Sequence, residues 1–260
     1  MKTNRMKAKL AAGEPAFGVS VMIPSPQVVE MIGAFGFDWV LLDCEHGTLT
    51  LESVELMAMA AEACGLTAIA RPATKSPEHI LQVLDRGVMG VQVPHVNNLA
   101  DARAVVGAVK YHPAGRRGLA AGTRAAAYDA HGTLADHVRA ANEATLIAIQ
   151  LEEKEAIDNL DQLLTVEGID VFFVGPSDLS QAMGYPGNPK AKPVAAAIDK
   201  TFAAIAAAKR LSGTPATMDN VTDVLGKGVR YIYTHLPRLL SASAQAYLEK
   251  ARTGAGPGGR

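Results

Sequence analysis

Acidic side chains follow two short apolar runs of this sequence, where they could hold a cation. The run Val171-Phe-Phe-Val174 is followed by Gly175-Pro-Ser-Asp178, and a second run that ends at Gln150 is followed by Glu152. A short apolar run bounded by Gly and Pro is typical of a strand buried on both faces. Carboxylates at the ends of such strands could bind Mg2+ or Mn2+, which prefer oxygen ligands and keep much of their water.

Each acid also has a plainer interpretation. Either could be solvated, and Asp178 in particular could cap a short helix that begins at Ser180. We favour metal binding because Glu152 and Asp178 follow neighbouring predicted strands, so that their oxygens could reach one ion.

Two basic side chains stand at other predicted strand ends. His46 follows the second strand, and an imidazole with a pKa of about 6.5 suits a general base at neutral pH, although a surface or capping histidine is equally compatible. Arg71 ends the third strand, where a buried guanidinium is costly unless it binds an anion such as a carboxylate or an enolate. The alternative for Arg71 is a structural ion pair with Asp43 or Glu45.

Amide groups extend this set, and two absences narrow the chemistry. Gln150 can donate to a carbonyl oxygen, and the backbone around Pro176–Asp178 could bind a carboxylate. Because no predicted strand end carries a Lys, we expect neither a Schiff-base lysine nor PLP. The last two loops lack the Gly-rich sequence of a barrel phosphate site, which disfavours a flavin. These groups suit the stabilisation of an enolate.

The elements that must position these residues alternate along the chain. Apolar runs predict strands at Ala16–Met22, Asp38–Asp43, Thr67–Arg71, Met89–Val93, Thr145–Gln150, Ile169–Val174, Thr214–Thr217 and Arg230–His235. Amphipathic runs predict helices at Ser25–Phe35, Leu51–Ala63, Pro77–Arg86, Asn98–Val109, Lys154–Thr165, Pro193–Leu211, Val221–Gly226 and Pro237–Ala251. Eight strand-then-helix units predict an α/β protein: a single (β/α)8 TIM barrel with its active site at the C-terminal strand ends.

Domain bounds and connections follow from this pattern. The barrel is predicted to span residues 1–252, and the Gly-rich tail at 253–260 is predicted to be disordered. Helix ends are expected at Gly65, Gly87, Gly213 and either Gly226 or Gly228. Two long connections, 110–142 and 179–192, are expected to leave the C-terminal ends of strands four and six.

Composition excludes several function classes. The 260 residues are 48% apolar and 20% charged with a net charge of −1, which favours neither nucleic acid nor a membrane surface as a partner. No run approaches the roughly 18 apolar residues of a membrane span. Cys44 and Cys64 lack metal-type spacing, so free thiols in a reducing cytoplasm are predicted.

Several segments together are specific enough to suggest a family. They are Gly36-Phe-Asp-Trp-Val-Leu-Leu-Asp-Cys-Glu-His-Gly47, Arg71-Pro72, Tyr111-His-Pro-Ala-Gly-Arg-Arg-Gly118, Gln150-Leu-Glu152 and Gly175-Pro-Ser-Asp-Leu-Ser-Gln-Ala-Met-Gly-Tyr-Pro-Gly-Asn-Pro189. From about Phe17 to Leu240 the chain resembles the class II pyruvate aldolases of the HpcH/HpaI family. The resemblance implies a cytoplasmic homo-oligomer, usually a hexamer, that acts in the catabolism of aromatic compounds.

The resemblance also assigns the ligands of a metal and of pyruvate. It implies that Glu152 and Asp178 bind Mg2+, Mn2+ or Co2+, and that pyruvate chelates this ion through its carboxylate and keto oxygens. The other pyruvate contacts that it implies are Arg71, Gln150, Gly175, Pro176, Ser177 and Asp178.

The resemblance gives catalytic roles to three residues. Arg71 would stabilise the enolate and the aldehyde oxygen, and His46 would be the base that deprotonates the 4-hydroxyl group. The family pairs this histidine with an aspartate that matches Asp85. Because Asp85 precedes strand four, at the other end of its own barrel, we expect a neighbouring subunit to supply it.

The expected activity is therefore a metal-dependent, reversible cleavage of a 4-hydroxy-2-oxoacid to pyruvate and an aldehyde. Two departures from the family, Gly18-Val-Ser20 in place of a tryptophan and Thr234-His-Leu-Pro237 after strand eight, leave the aldehyde open. One alternative is a carbon–carbon lyase of the same superfamily acting on a CoA thioester, with Arg116-Arg117 as its basic cluster near the mouth. Another is a barrel that binds a 2-oxoacid without turning it over.

Overall fold

The computed structural model describes residues 3–254, in which eight parallel strands close into one barrel. The strands are β1 (Ala16–Val21), β2 (Trp39–Asp43), β3 (Thr67–Arg71), β4 (Gly90–Val93), β5 (Leu146–Leu151), β6 (Val171–Val174), β7 (Leu211–Pro215) and β8 (Tyr231–His235). Each strand pairs with the next, and β8 pairs with β1. The predicted (β/α)8 barrel is confirmed.

Helices connect the strands around the outside of the barrel. They are α1 (Arg5–Ala11), α2 (Pro26–Ala34), α3 (Leu51–Ala63), α4 (Pro77–Asp85), α5 (Leu99–Val109), α6 (Leu134–Ala144), α7 (Lys154–Asp158), α8 (Leu160–Leu163), α9 (Pro176–Ala182), α10 (Lys192–Ala207), α11 (Val221–Gly226) and α12 (Leu236–Gly254). The single helix predicted over Lys154–Thr165 is wrong, because α7 and α8 meet at Asn159.

The strands are apolar on both faces, since one face lines the barrel and the other packs under the helices. Along β1, Ala16 belongs to the interior cluster, whereas Val19 and Val21 belong to the outer cluster beneath the helices. The same alternation on β8 turns Tyr231 and Tyr233 inward. Side chains that follow this register at the C-terminal strand ends therefore face into the mouth of the barrel.

The N-terminal end of the barrel is closed by α1, which we did not predict. Met6 and Leu10, spaced by four on one face of α1, are buried in the interior cluster. Asn4 caps this helix through Lys7 N–H, and its Nδ2 donates to Met89 O at 3.0 Å. The opposite end of the barrel is left open for chemistry.

Helix ends follow the predicted signals in most places. Thr50 and Ser53 form a reciprocal capping box on α3, and Ser76 caps α4. Gly65 and Gly87 follow helices with φ of +74° and +89°, the left-handed conformation that favours glycine.

The predicted position of strand seven is wrong by three residues at its start. The sequence assigned Leu211 to a helix and Gly213 to its end, but both lie in β7. Gly213 instead allows two rings to approach, since an added Cβ would lie 2.7 Å from Tyr231 Cδ1. The helix ends near Lys209, which adopts φ +56° without being a glycine, so the usual sequence signal is missing.

The connection over 110–142 lies at the N-terminal end of the barrel, contrary to expectation. It follows α5, which has already returned the chain from the mouth. Lys110 Nζ donates to Thr145 O just before β5, at 2.9 Å, and Arg117 pairs with Asp85 at the end of α4. Arg116-Arg117 is therefore far from the mouth.

The last helix extends beyond its own barrel. α12 contacts β8 and β1, but Leu240 and Tyr247 are 60% and 73% exposed. The predicted tail begins inside α12, and its residues beyond 254 lie outside the described part of the chain. Among the described helices, none combines the length and the apolar character that a membrane span needs.

Candidate active site

The two predicted metal-binding carboxylates lie side by side at the mouth. Glu152 directly follows β5, and Asp178 lies in the first turn of α9 after β6. Gly175 lies between them: an added Cβ there would lie 3.2 Å from Glu152 Oε2 and 3.9 Å from Asp178 Oδ2. A side chain at this position would fill the space that both carboxylates face. Below, Glu152 and Asp178 are called the carboxylate pair.

Asp178 does not cap a helix that begins at Ser180. α9 begins at Pro176 with Gly175 as its N-cap residue, so Asp178 is a first-turn residue. The carboxylate of Asp178 accepts no hydrogen bond from a side chain or a backbone N–H of the described residues, so its oxygens are available to a ligand.

Glu152 is held rigidly by its neighbours. It is 2% exposed, and its Oε1 accepts from His95 N–H at 2.9 Å while its Oε2 accepts from Gln150 Nε2. Burial raises the pKa of Glu152, and these hydrogen bonds offset only part of that effect. A carboxylate buried in this way gains from a nearby cation.

Arg71 forms the centre of a buried network at the end of β3. Its Nε donates to Asp43 Oδ1 at 2.9 Å and its Nη2 donates to Asp43 Oδ2, while Nη1 lies 3.2 Å from Glu45 Oε2. Burial lowers the pKa of Arg71, but the hydrogen bonds and charge of Asp43 outweigh burial and raise it. The ion pair left open by the sequence is therefore present, and the guanidinium stays charged.

Arg71 also contacts the strand that carries Glu152. Its Nη1 donates to Gln150 Oε1 at 3.4 Å, and Gln92 Nε2 donates to the same oxygen. The Gln150 amide therefore links Arg71 to the carboxylate pair.

His46 lies at the rim of the same network. Its backbone N–H donates to Asp43 Oδ1 at 3.2 Å, and its Nε2 lies 3.7 Å from Glu45 Oε2. Its side chain is 56% exposed, so a substrate at the mouth can reach it. Asp43 thus holds both Arg71 and the loop that carries His46.

Two histidines at the mouth were not predicted as site residues. His95, after β4, lies with its Nδ1 2.8 Å from Glu153 and its Nε2 3.1 Å from Glu45. Burial lowers the pKa of His95, but those carboxylates and Glu152 outweigh burial and raise it. His235 ends β8 and faces inward beside Tyr233. His95 follows the predicted fourth strand and His235 ends the predicted eighth strand, so the available signal is the position at a strand end.

Asp85 is not brought to His46 within one chain. It ends α4 at the N-terminal side of the barrel, where its Oδ1 accepts from Arg117 Nη2 at 2.7 Å. Arg117 is itself buried and packs over the Tyr111 ring at 4.7 Å.

The cysteines play no part in this site. Neither Cys44 nor Cys64 forms a disulfide, as predicted. Cys44 lies next to Asp43, and burial raises the pKa of its thiol to about 12, so it is not a nucleophile at neutral pH.

The residues present fit a divalent cation held by few protein ligands. The carboxylate pair supplies oxygen donors beside a glycine, and within residues 3–254 no cluster of three or more His, Cys, Asp or Glu forms a closed metal site. Two carboxylates with open positions are the arrangement in which Mg2+ or Mn2+ keeps water or substrate ligands.

A closed barrel with carboxylates, an arginine and histidines at its mouth defines the class of barrel enzymes that work at C-terminal strand ends. The family model of the HpcH/HpaI aldolase/citrate lyase family matches residues 17–232. The chain belongs to this family and is a carbon–carbon lyase of the class II aldolase type.

Similar proteins agree with this assignment. A 4-hydroxy-2-oxo-heptane-1,7-dioate aldolase of Shigella sonnei is 37% identical over 210 residues, covering 81% of this chain and 79% of that protein. A pyruvate aldolase of Rhizobium etli is 35% identical over 216 residues, covering 83% and 82%. The crystal structure of a family member from Burkholderia cenocepacia superposes with a TM-score of 0.90 at 26% identity, covering 96% and 100%.

Proposed function

We propose that this enzyme reversibly cleaves a 4-hydroxy-2-oxoacid to pyruvate and an aldehyde, and that the reaction depends on a divalent metal ion. The observation that carries the proposal is the carboxylate pair beside Gly175, with the Arg71 guanidinium connected to it through Gln150. An enolate formed at this mouth would thus have two sources of positive charge, an ion at the proposed metal site and the Arg71 guanidinium.

Glu152 and Asp178 would hold the ion, with Mg2+, Mn2+ and Co2+ as the candidates. The bound ion would supply positive charge against the carboxylate and keto oxygens of the pyruvyl group and so favour enolate formation. Gln150 and the backbone of Gly175, Pro176 and Ser177 would orient that group.

The remaining side chains would handle protons and charge. Arg71, kept charged by Asp43, would stabilise negative charge on the enolate and on the aldehyde oxygen. His46, exposed at the rim, would remove the proton of the 4-hydroxyl group as the carbon–carbon bond breaks.

Asp85 would act on a neighbouring subunit. Its position with Arg117 at the N-terminal end of the barrel separates it from the His46 of its own chain. A neighbour that docks this end against a mouth could place Asp85 beside His46. The exposed apolar residues of α12 also favour a homo-oligomer, for which we propose a hexamer.

The alternative functions are less well supported. A CoA thioester would need a basic groove at the mouth, yet Arg117 pairs with Asp85 at the other end of the barrel. A barrel that only binds a 2-oxoacid would not need a histidine base at the same mouth as the carboxylate pair.

Release of pyruvate tests the proposal. Purified protein should form pyruvate from 4-hydroxy-2-oxoacids, stop after exhaustive chelation, and recover with Mn2+ or Mg2+. Borohydride added with substrate should trap no adduct. Activity that persists without metal, or a trapped Schiff base, would refute the metal assignment.

A further inference from the structure

The seam between β1 and β8 carries polar side chains that the proposed reaction does not use. Ser20 on β1 lies opposite His235 on β8 in the parallel register. This pair is two residues nearer the C-terminal strand ends than the pair Gly18 and Tyr233. Because Tyr231 and Tyr233 face the interior, His235 and Ser20 face inward as well.

His235 has an unused hydrogen-bonding capacity. Its ring contacts Tyr233 edge-on, with centroids 5.3 Å apart, and it is half-buried. Among residues 3–254, none hydrogen-bonds to either of its imidazole nitrogens. A neutral imidazole can both donate and accept, so one nitrogen of each kind is available to a ligand.

Ser20 is the second such group. It is 0% exposed, and its Oγ finds no hydrogen-bond partner in the described part of the chain. A buried hydroxyl without a partner is unfavourable, because it has lost its hydrogen bonds to water. Ser20 therefore lies opposite His235 with a hydrogen bond left to make.

These two side chains lie where the aldehyde half of the substrate would be. The carboxylate pair follows β5 and β6; in the closed barrel β1 lies four strands away from β5, on the opposite side, and β8 lies next to β1 and two strands away from β6. The pyruvyl group would occupy the carboxylate side, so the rest of the substrate must extend across the mouth. His235 ends β8 at the same mouth as Arg71, which ends β3, and His46, which follows β2.

We infer that His235 and Ser20 form the aldehyde subsite and that they select an aldehyde with a hydroxyl group next to its carbonyl. The inference rests on the proposed aldolase function and names the substrate class of the same site. His235 would hydrogen-bond the hydroxyl group of the aldehyde directly. Ser20, opposite His235, would supply a second hydrogen-bonding group to the same network.

A hydroxyl group matches this subsite better than a carboxylate does. Burial, with the charges of Arg238 and Arg71, lowers the pKa of His235, which favours the neutral imidazole. Arg238 is exposed to solvent at the start of α12, where its attraction for an anion is weak.

The test compares three aldehydes as acceptors for pyruvate in the Mn2+-loaded enzyme. Glycolaldehyde carries the hydroxyl group, acetaldehyde lacks it, and succinic semialdehyde carries a carboxylate. We expect kcat/KM for glycolaldehyde to exceed that for acetaldehyde at least tenfold, since one hydrogen bond is worth about that factor.

Two variants address the subsite itself. His235→Phe keeps the ring that packs on Tyr233 and removes both nitrogens, and Ser20→Ala removes only the hydroxyl. Each should lower the ratio of the glycolaldehyde and acetaldehyde kcat/KM values about tenfold. Thr234→Val, which changes the outward-facing neighbour on β8, should leave that ratio as in the wild type.

Exchange of pyruvate methyl protons with D2O, followed by NMR, separates two failures because it needs no aldehyde. Two results would overturn the subsite and leave the aldolase proposal standing. Exchange could occur while kcat/KM is equal for the three aldehydes, or while kcat/KM is tenfold higher for succinic semialdehyde. Equal losses for both small aldehydes in His235→Phe and Ser20→Ala would also overturn it. Absence of exchange in the Mn2+-loaded wild type would overturn the aldolase proposal, and the subsite with it.

Discussion

Asp43 connects two parts of the active site, the Arg71 guanidinium and the loop that carries His46. Its carboxylate accepts from Arg71 Nε and Nη2 and from the backbone N–H groups of Glu45 and His46. Asp43 therefore fixes the Arg71 guanidinium, which is proposed to stabilise the enolate, and the loop that carries the proposed base, His46. Removing this one charge would deprive a buried guanidinium of its bidentate partner and leave it only the Glu45 carboxylate.

Asp43→Asn should lower the free energy of unfolding by about 3–5 kcal/mol at pH 7, the usual cost of breaking a buried ion pair. Urea denaturation measures this. The matched control is Asp199→Asn, which breaks an exposed pair with Lys227 and should cost less than about 1 kcal/mol.

The same pair gives a pH dependence with a definite sign. Burial raises the pKa of Asp43, but the hydrogen bonds and charge of Arg71 outweigh it and hold the pKa below the usual 3.8. A lowered carboxyl pKa stabilises the fold above its unfolded value, and this stabilisation is lost as pH falls through the folded value. The wild-type advantage over Asp43→Asn should be constant from pH 5 to 8 and shrink below about pH 4. An advantage that grows in acid would contradict the ion pair.

Metal affinity should depend on Glu152 and not on the next residue, Glu153. Glu152→Gln should weaken Mn2+ binding by more than about 100-fold, since even an outer-sphere partner contributes 10- to 100-fold. EPR of free Mn2+ measures this without substrate. Glu153→Gln is the matched control, because Glu153 contacts the same His95 but faces solvent; equal effects of the two substitutions would refute the carboxylate pair as the metal site.

At the scale of elements, the strands were the most predictable part of the fold. β3 and α3 have the predicted bounds, because a buried strand and a capped amphipathic helix carry strong local patterns. β7 was misplaced because Lys209, and not a glycine, adopts the left-handed conformation after α10. The length of the connection over 110–142 does not show at which end of the barrel it lies. It follows α5, which runs back from the mouth, so it lies at the N-terminal end.

The residues of the candidate site were predictable only where a charged or amide side chain stands at or just after the end of a predicted strand. Glu152, Asp178, Arg71 and Gln150 follow apolar runs directly, and the structure brings them together. Contacts between distant strands carry no such local pattern. The pairing of Ser20 with His235 depends on barrel closure between the first and last strands.

The plug formed by α1 is an element without a role in the chemistry. Leu10→Ala should cost about 2–4 kcal/mol of unfolding free energy, because Leu10 is buried in the barrel interior. Ala11→Ser, on the exposed side of α1, should change stability by less than about 0.5 kcal/mol. Equal stabilities of the two variants in urea denaturation would show that α1 does not close the barrel.

At the scale of the whole molecule, the proposed site is complete only in an assembly. His46 lies at the mouth of the barrel, and Asp85 lies at the opposite end of the same barrel. α12 also leaves apolar side chains in solvent, including Leu240 and Tyr247. Both features support the proposal that this chain works in contact with copies of itself.

Mixed assemblies test this shared site. His46→Ala and Asp85→Asn should each lose most activity, and co-expression of the two chains should restore part of it, since some sites then combine an intact His46 with an intact Asp85. Native mass spectrometry verifies that the chains mix. Full activity of Asp85→Asn alone, or no recovery in verified mixtures, would exclude the shared site.

The central claim is that an enolate of pyruvate forms beside the carboxylate pair with the help of a bound divalent ion. The most direct measurement is exchange of pyruvate methyl protons with D2O, followed by NMR in chelated and Mn2+-reloaded enzyme. We predict exchange in the reloaded wild type, and none above background after chelation or in Glu152→Gln. Exchange that survives exhaustive chelation, or that proceeds at the wild-type rate in Glu152→Gln, would contradict the claim.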